Sequence, residues 1–192
     1  MTLAIVLVAA YLLGSIPTSY LVVYKYTGRD IRSMGSGNPG TMNVLDSVGM
    51  RPALIVGTVD ILKGIAAVGV AYLAGATDVQ AVLAAAVAIM GHDYSVFLRL
   101  NGGNGTATGV GGIAGLLPLA TFVSFSLALT ALLILRSRRR AGIIGLLLIP
   151  VMAYWFDASD AKLIGVFVLL TIMAIKIIRF EGFSQARIPP DR

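Results

Sequence analysis

Apolar runs at Leu3–Tyr24, Pro52–Ala74, Val79–Leu98, Thr106–Leu135, Ala141–Phe156 and Ala161–Ile178 leave this chain little room for anything except membrane-spanning helices. Hydrophobic residues make up 57% of its 192 residues and charged residues 12%, against roughly 45–50% and about 25% in an ordinary soluble domain. No polar stretch exceeds about two dozen residues, too few for a separate soluble domain, so residues 1–192 are expected to form one all-α integral membrane domain. The first run is not read as a secretion signal, because its positive charges, Lys25, Arg29 and Arg32, follow the apolar segment instead of preceding it. Pro17 should bend this run, and Gly14, Ser15, Thr18 and Ser19 should let it pack closely on a neighbour.

Loop charge sets the expected sidedness, since short cytoplasmic loops collect Lys and Arg. Loop 25–51 carries Lys25, Arg29, Arg32 and Arg51, loop 99–106 begins with Arg99, and loop 136–140 holds Arg136, Arg138, Arg139 and Arg140. These loops and the tail 179–192, with Arg179, Arg187 and Arg192, are expected in the cytoplasm, and the acidic turns around Asp78 and Asp157–Asp160 outside. For Arg99 and Arg136 to lie on one side, the run 106–135 must cross twice. A break near Pro118 would give two short spans of roughly 14 residues, about 21 Å each, or a re-entrant pair. The expectation is about seven transmembrane helices with the N-terminus outside and the C-terminus cytoplasmic.

The same composition narrows the chemistry. The excess of 15 Lys and Arg over 9 acidic residues is assigned to loop orientation and anionic membrane lipid, not to nucleic acid. With no Cys, a single histidine at His92 and a single glutamate at Glu181, no metal site and no other cofactor is expected.

Two glycine-rich segments stand out. The first, Gly35-Ser36-Gly37-Asn38-Pro39-Gly40-Thr41-Met42-Asn43, allows backbone amides to converge. Thr41 is expected to cap a short helix running to about Val48 and ended by Gly49. The second, Asn101-Gly102-Gly103-Asn104-Gly105-Thr106-Ala107-Thr108, also runs into a helix start. Two such starts on one face would aim N–H groups and positive dipole ends at a shared pocket, suited to phosphate, carboxylate or an oxyanion. The alternative is a pair of tight membrane-surface turns needing Gly and Pro for geometry alone. The second segment is not a nucleotide-binding loop of the Walker type, because Asn104 stands where Lys would be needed.

Asp60 and Lys63 lie one helical turn apart inside the second apolar run, so they are either a functional pair or an ion pair joining two helices. His92, near the end of the third run, could serve as a base or as a hydrogen-bonded packing residue. No covalent nucleophile is expected, as there is no G-x-S-x-G elbow and a Ser/His/Asp triad would have to use His92.

Taken in order, Gly14–Pro17 (G-S-I-P), Asp30–Asn43 (D-I-R-x-x-G-S-G-N-P-G-x-x-N), Asp60–Gly64 (D-x-x-K-G), Gly91-His92 and Gly102–Thr108 (G-G-x-G-x-A-T) resemble the PlsY-type acyl-phosphate:glycerol-3-phosphate acyltransferases of the bacterial cytoplasmic membrane. The resemblance implies a seven-helix fold and transfer of a fatty acyl group from acyl phosphate to glycerol 3-phosphate, giving lysophosphatidate. It implies that the donor's own phosphate takes the hydroxyl proton. On this reading Ser36, Asn38 and His92 are the catalytic candidates. Gly35, Ser36, Gly37, Asn38, Gly40, Thr41, Asn43, Gly102, Gly103, Asn104, Gly105 and Thr108 would bind acyl phosphate, with Arg32, Asp60 and Lys63 structural or substrate-positioning.

The chain departs from the family pattern at four places. Asp46 replaces an Arg, Asn104 a Lys, Gly142 lies where a serine-bearing motif is expected, and Phe180 falls within a tail run that should carry His and Asn. Most of the lost groups are cations and donors expected to serve glycerol 3-phosphate. That leaves two alternatives open: a paralogue with another acceptor, or a catalytically silent protein that binds lipid or a partner.

Overall fold

The computed structural model describes residues 2–185, with side chains as far as Arg179. The departure at Phe180 and the tail arginines Arg187 and Arg192 therefore lie outside the described side chains. Among the described residues every regular element is helical.

The first apolar run forms α1 (Leu3–Ser15) and α2 (Thr18–Thr27). The break falls at Ile16-Pro17, where the ring of Pro17 and its missing N–H interrupt the helix. Gly28 ends α2 in the left-handed conformation at φ 69°. After the glycine-rich loop comes α3 (Thr41–Ser47), whose N-cap is Gly40. The expected Thr41 cap is not found: Thr41 is the first helical residue, and its hydroxyl is buried without a partner. Then follow α4 (Met50–Leu73) and α5 (Asp78–Asp93), the latter started by a capping box between Thr77 and Gln80.

A 3₁₀ turn at Val96–Leu98 leads into α6 (Thr106–Leu116), and α7 (Pro118–Leu135) starts directly after it. The run 106–135 is therefore broken at Leu117 as Pro118 demands, but unevenly, into 11 and 18 residues instead of two equal halves. At about 16 Å, α6 is shorter than a hydrocarbon core of about 30 Å, yet its Leu116 end lines a cavity with Asp78, Asp157 and Ser159 of the acidic turns. The last helices are α8 (Arg138–Trp155) and α9 (Asp160–Gln185). Five segments are long and apolar enough to span a bilayer, namely Leu3–Thr27, Met50–Leu73, Asp78–Leu98, Pro118–Leu135 and Asp160–Arg179. Together they make this a multi-pass membrane protein. Large apolar side chains on its outer surface, among them Phe122, Leu133, Ile134 and Phe167, suit contact with lipid.

The short helix α6 sits at the centre, packed against α4, α5, α7 and α9. Its approach to α4 is backbone on backbone: a Cβ at Gly64 would collide with the carbonyl of Thr108, and one at Gly111 with that of Ile61. Membrane helices associate through such small residues because lipid supplies no hydrophobic drive between them. Gly14 of α1 meets Ala88 of α5 in the same way, as the small-residue cluster in the first run predicts. A second, smaller core of Val23, Ile31, Val44, Ala53 and Val56 lies beneath the glycine-rich loop.

Side-chain links place the loops at two ends of the bundle. At one end Arg32 donates to the Leu98 carbonyl (3.2 Å), and Arg138 lies 3.7 Å from Asp46. At the other, Asp78 accepts from Tyr72 (2.9 Å) and Ser159 (2.6 Å) and faces Lys162 at 3.6 Å. The strongly basic loops thus share one end and the acidic turns the other.

Candidate active site

The loop between α2 and α3 is built by its own polar side chains. Asp30 accepts from the Arg32 backbone N–H (2.9 Å) and from Nη2 of Arg32 (2.7 Å). These bonds from Arg32 hold the Asp30 carboxyl below the ordinary carboxylate range and raise the guanidinium in return. Gly35 (φ 49°) and Gly37 (φ 75°) turn the chain through conformations that favour glycine. Asn43 holds the loop from within. Its Nδ2 donates to the carbonyls of Met34 (3.0 Å) and Asn38 (2.9 Å), while its Oδ1 accepts from the Ser36 amide and the Ser47 hydroxyl, each at 3.1 Å. Ser19 of α2 donates to the Pro39 carbonyl at 2.6 Å, pinning the loop to the bundle.

The second glycine segment folds back over the end of α5. The amides of Gly102 and Gly103 donate to the carbonyls of Asp93 (3.0 Å) and His92 (3.1 Å), so these N–H groups are not free for a ligand. A Cβ on Gly103 would strike Nε2 of His92. Gly105, left-handed at φ 64°, then turns the chain into α6. The first-turn amides of Thr106, Ala107 and Thr108 have no helical acceptor.

Beneath both loops lies a buried charged cluster. Nζ of Lys63 is 2.8 Å from Oδ1 of Asp60, and both side chains are almost fully enclosed. The ammonium also donates to the Ile16 carbonyl (3.0 Å) exposed by the Pro17 break, and lies 3.1 Å from Nδ1 of His92. Since an ammonium only donates, Nδ1 must accept and the imidazole carries its proton on Nε2. The Thr108 hydroxyl adds a contact to Nδ1 at 3.2 Å. Asp60 and Lys63, both on α4, thus form an ion pair whose ammonium reaches the end of α1 at Ile16 and His92 of α5.

A cavity of about 650 Å³ opens between these parts. Its polar lining comes from Ser36, Asn38, Gly40 and Thr41 of one loop, Asn104, Gly105 and Thr106 of the other, and Asp60 and His92 of the charged cluster. The other walls are apolar, from Ile61, Val110, Phe125 and Ile177. Oδ1 of Asn38, Oγ1 of Thr41 and Oδ1 of Asn104 are buried there without hydrogen-bond partners. In a native fold, buried polar atoms left unpaired call for a ligand or water.

Not every residue singled out in the sequence reaches this cavity. Gly35, Gly37, Asn43, Gly102 and Gly103 shape the loops around it, Thr108 and Lys63 lie behind His92, and Arg32 faces a different cavity. Asp46 lies outside it too, its side chain 63% exposed beside Arg138. A Cβ at Gly142 would meet open space. Of the departures within the described side chains, Asn104 alone lines the cavity. Gly57, overlooked in the sequence, precedes Asp60 by three residues and Ile61 by four, and Val110 follows Thr106 by one turn. Phe125 and Ile177 carried no such signal.

A family model described as glycerol-3-phosphate acyltransferase matches residues 4–185. The chain is 41% identical over 150 residues to glycerol-3-phosphate acyltransferase 2 of Moorella thermoacetica, covering 78% of this chain and 77% of that protein. It is 45% identical over 130 residues to the glycerol-3-phosphate acyltransferase of Thermus thermophilus, covering 68% and 65%. The fold matches the crystal structure of PlsY (YgiH), an integral membrane glycerol 3-phosphate acyltransferase, in its glycerol 3-phosphate form. The TM-score is 0.83 at 25% identity, over 100% of this chain and 96% of that one. The lysophosphatidic acid form of PlsY matches with a TM-score of 0.80 over 96% and 94% of the two chains.

Proposed function

Because the chain belongs to the glycerol-3-phosphate acyltransferase family, we propose that it transfers a fatty acyl group from an acyl phosphate to the 1-hydroxyl of glycerol 3-phosphate, giving lysophosphatidate. The observation that carries this reading is the two-natured cavity. Its lining combines unpaired polar atoms of Asn38, Thr41 and Asn104 with the apolar side chains of Ile61, Val110, Phe125 and Ile177. An acyl phosphate combines the same two characters, an anionic head joined to a hydrocarbon chain.

The reaction needs no covalent enzyme intermediate. The acceptor hydroxyl oxygen bonds to the acyl carbon, the bond from that carbon to the phosphate oxygen breaks, and the departing phosphate carries away the hydroxyl proton. What the protein supplies is placement of the two substrates and donors for the oxyanion that forms at the acyl carbon. Ser36, Asn38, the first-turn amides of α6 and the Nε2–H edge of His92 are the groups we assign to these tasks. His92 acts as a donor and not as a base, because Lys63 occupies its other nitrogen.

We place the cavity mouth on the cytoplasmic side of a bacterial cytoplasmic membrane, with the N-terminus outside, since the basic loops gather at that end. The chain contains no cysteine, so single cysteines introduced at Ser33 and Ser159 would report sidedness with a membrane-impermeant thiol reagent. Labelling of both from the same side would refute the orientation. For activity, the full chain in detergent is supplied with palmitoyl phosphate and labelled glycerol 3-phosphate. Labelled lysophosphatidate is the expected product. Failure to form it while palmitoyl phosphate still binds would overturn the choice of acceptor.

A further inference from the structure

A second cavity, of about 860 Å³, lies on the other side of the α2–α3 loop from the site above, between the α1–α2 break and the turn after Val96–Leu98. Arg32, Arg99, Asn101 and Tyr20 provide polar lining, and Leu21 and Phe97 give it apolar walls. Arg32 is already matched by Asp30 at 2.7 Å, so it adds little net charge. Arg99 has no side-chain partner among the described residues and leaves the pocket one positive charge in excess.

The position of Arg99 is imposed by the fold. Arg99 (φ 54°) and Leu100 (φ 62°) are consecutive left-handed residues without being glycine. Such a conformation persists only where surrounding bonds enforce it. Here the Leu100 amide donates to Ser95 (2.8 Å), and the Ser95 hydroxyl donates to the Ser15 carbonyl at the end of α1. Leu21 and Phe97, beside the cation, are 54% and 59% exposed. Leu21 and Phe97 belong to segments long and apolar enough to span a bilayer, which places these side chains within reach of acyl chains. One unmatched guanidinium next to exposed hydrocarbon complements a phosphodiester monoanion that carries fatty chains, and suits a small free anion poorly.

We propose that this cavity holds an anionic phospholipid of the surrounding bilayer, its phosphodiester against Arg99 and its chains along Leu21 and Phe97. The site is separate from the acyl-transfer cavity and does not depend on that assignment.

The absence of native cysteine allows a local test. Leu21→Cys carrying a bimane fluorophore, in the full chain in nanodiscs, is titrated with brominated phosphatidylglycerol or brominated phosphatidylcholine of the same chain length. Quenching should favour phosphatidylglycerol by about fivefold, the effect of one cation near a headgroup. Arg99→Gln should abolish the preference and Arg99→Lys keep most of it, while a bimane at Phe122→Cys, exposed on α7 and remote from the basic loops, should show none. Equal quenching by the two lipids at Leu21, or a preference unchanged in Arg99→Gln, overturns the proposal. Full reversal of the preference by millimolar inorganic phosphate overturns it as well, by identifying a site for free anions.

Discussion

The Lys63 ammonium lies 3.1 Å from Nδ1 of His92 and so sets which nitrogen of that ring carries the proton. A side chain from α4 thereby decides what a side chain on α5 can offer to the cavity. His92→Gln, whose amide reaches the place of Nε2, should keep more activity than His92→Asn, whose amide reaches only the place of Nδ1. We expect His92→Asn to lose about 10²-fold in kcat, the typical effect of removing one oxyanion donor. Equal and complete loss in both variants would indicate a base instead.

Lys63→Met removes one member of a pair whose side chains are only 2% and 3% exposed. It should destabilise the protein by about 3–5 kcal/mol, because Asp60 is left buried and uncompensated. Changing Asp60→Leu together with Lys63→Met should restore most of the unfolding temperature in detergent, since a hydrophobic pair of similar volume avoids the desolvation cost. Activity should not return, as Asp60 lines the cavity. Thermal unfolding and product formation measured on both variants separate the two effects.

Gly103→Ala and Gly142→Ala should behave in opposite ways. A methyl group at Gly103 would run into Nε2 of His92, whereas one at Gly142 meets open space on α8. The first is expected to reduce turnover at least tenfold through displacement of the ring. The second should leave turnover unchanged and stabilise the helix by about 0.5–1 kcal/mol.

Asn104→Lys places an ammonium in the lining of the cavity, and Asp46→Arg does not, because Asp46 lies outside it and is largely exposed. A hydrogen bond to a charged group contributes about 1.5–3 kcal/mol, so Asn104→Lys should lower the KM for glycerol 3-phosphate by about tenfold or more. Asp46→Arg alone should change it little and would oppose Arg138. The opposite ranking in steady-state kinetics would show that the acceptor binds elsewhere.

The Asp30 carboxyl is held below its usual range by the hydrogen bonds from Arg32. Its stabilising contribution is therefore fully present above the unfolded carboxylate pKa and is lost as pH falls through the lowered folded value. Hydrogen exchange in residues 28–40 should be flat from pH 8 to about 5 after correction for the intrinsic rate, and rise only below about pH 4. In Asp30→Asn the segment should exchange faster wherever Asp30 is ionised in the native chain, and the difference should vanish at the acid end.

Much of the site was legible in the sequence because glycine and proline act locally. The Pro17 and Pro118 breaks, and the turns at Gly35, Gly37 and Gly105, follow from backbone sterics that no tertiary contact needs to supply. The roles within the loops were less legible. Asn43 looks like a ligand-binding amide in the sequence, yet its bonds close the loop on itself. Gly102 and Gly103 look like free donors, yet α5 supplies carbonyls that take their amides. Both outcomes depend on where another segment presents an acceptor, which spacing along the chain does not encode.

By itself the sequence determined a multi-pass helical membrane protein with its basic loops at one end and two glycine segments able to face one pocket, because hydropathy, loop charge and backbone freedom are properties of short stretches. Tertiary structure alone decided that Asn104 faces the cavity while Asp46 turns away, that Phe125 and Ile177 close its apolar side, and that Lys63 sets the tautomer of His92. The physical reason is the close packing of the central helix α6 against α4 and α5. It brings groups far apart in the chain within hydrogen-bond distance, where the chemistry of each partner determines which atom donates and which accepts.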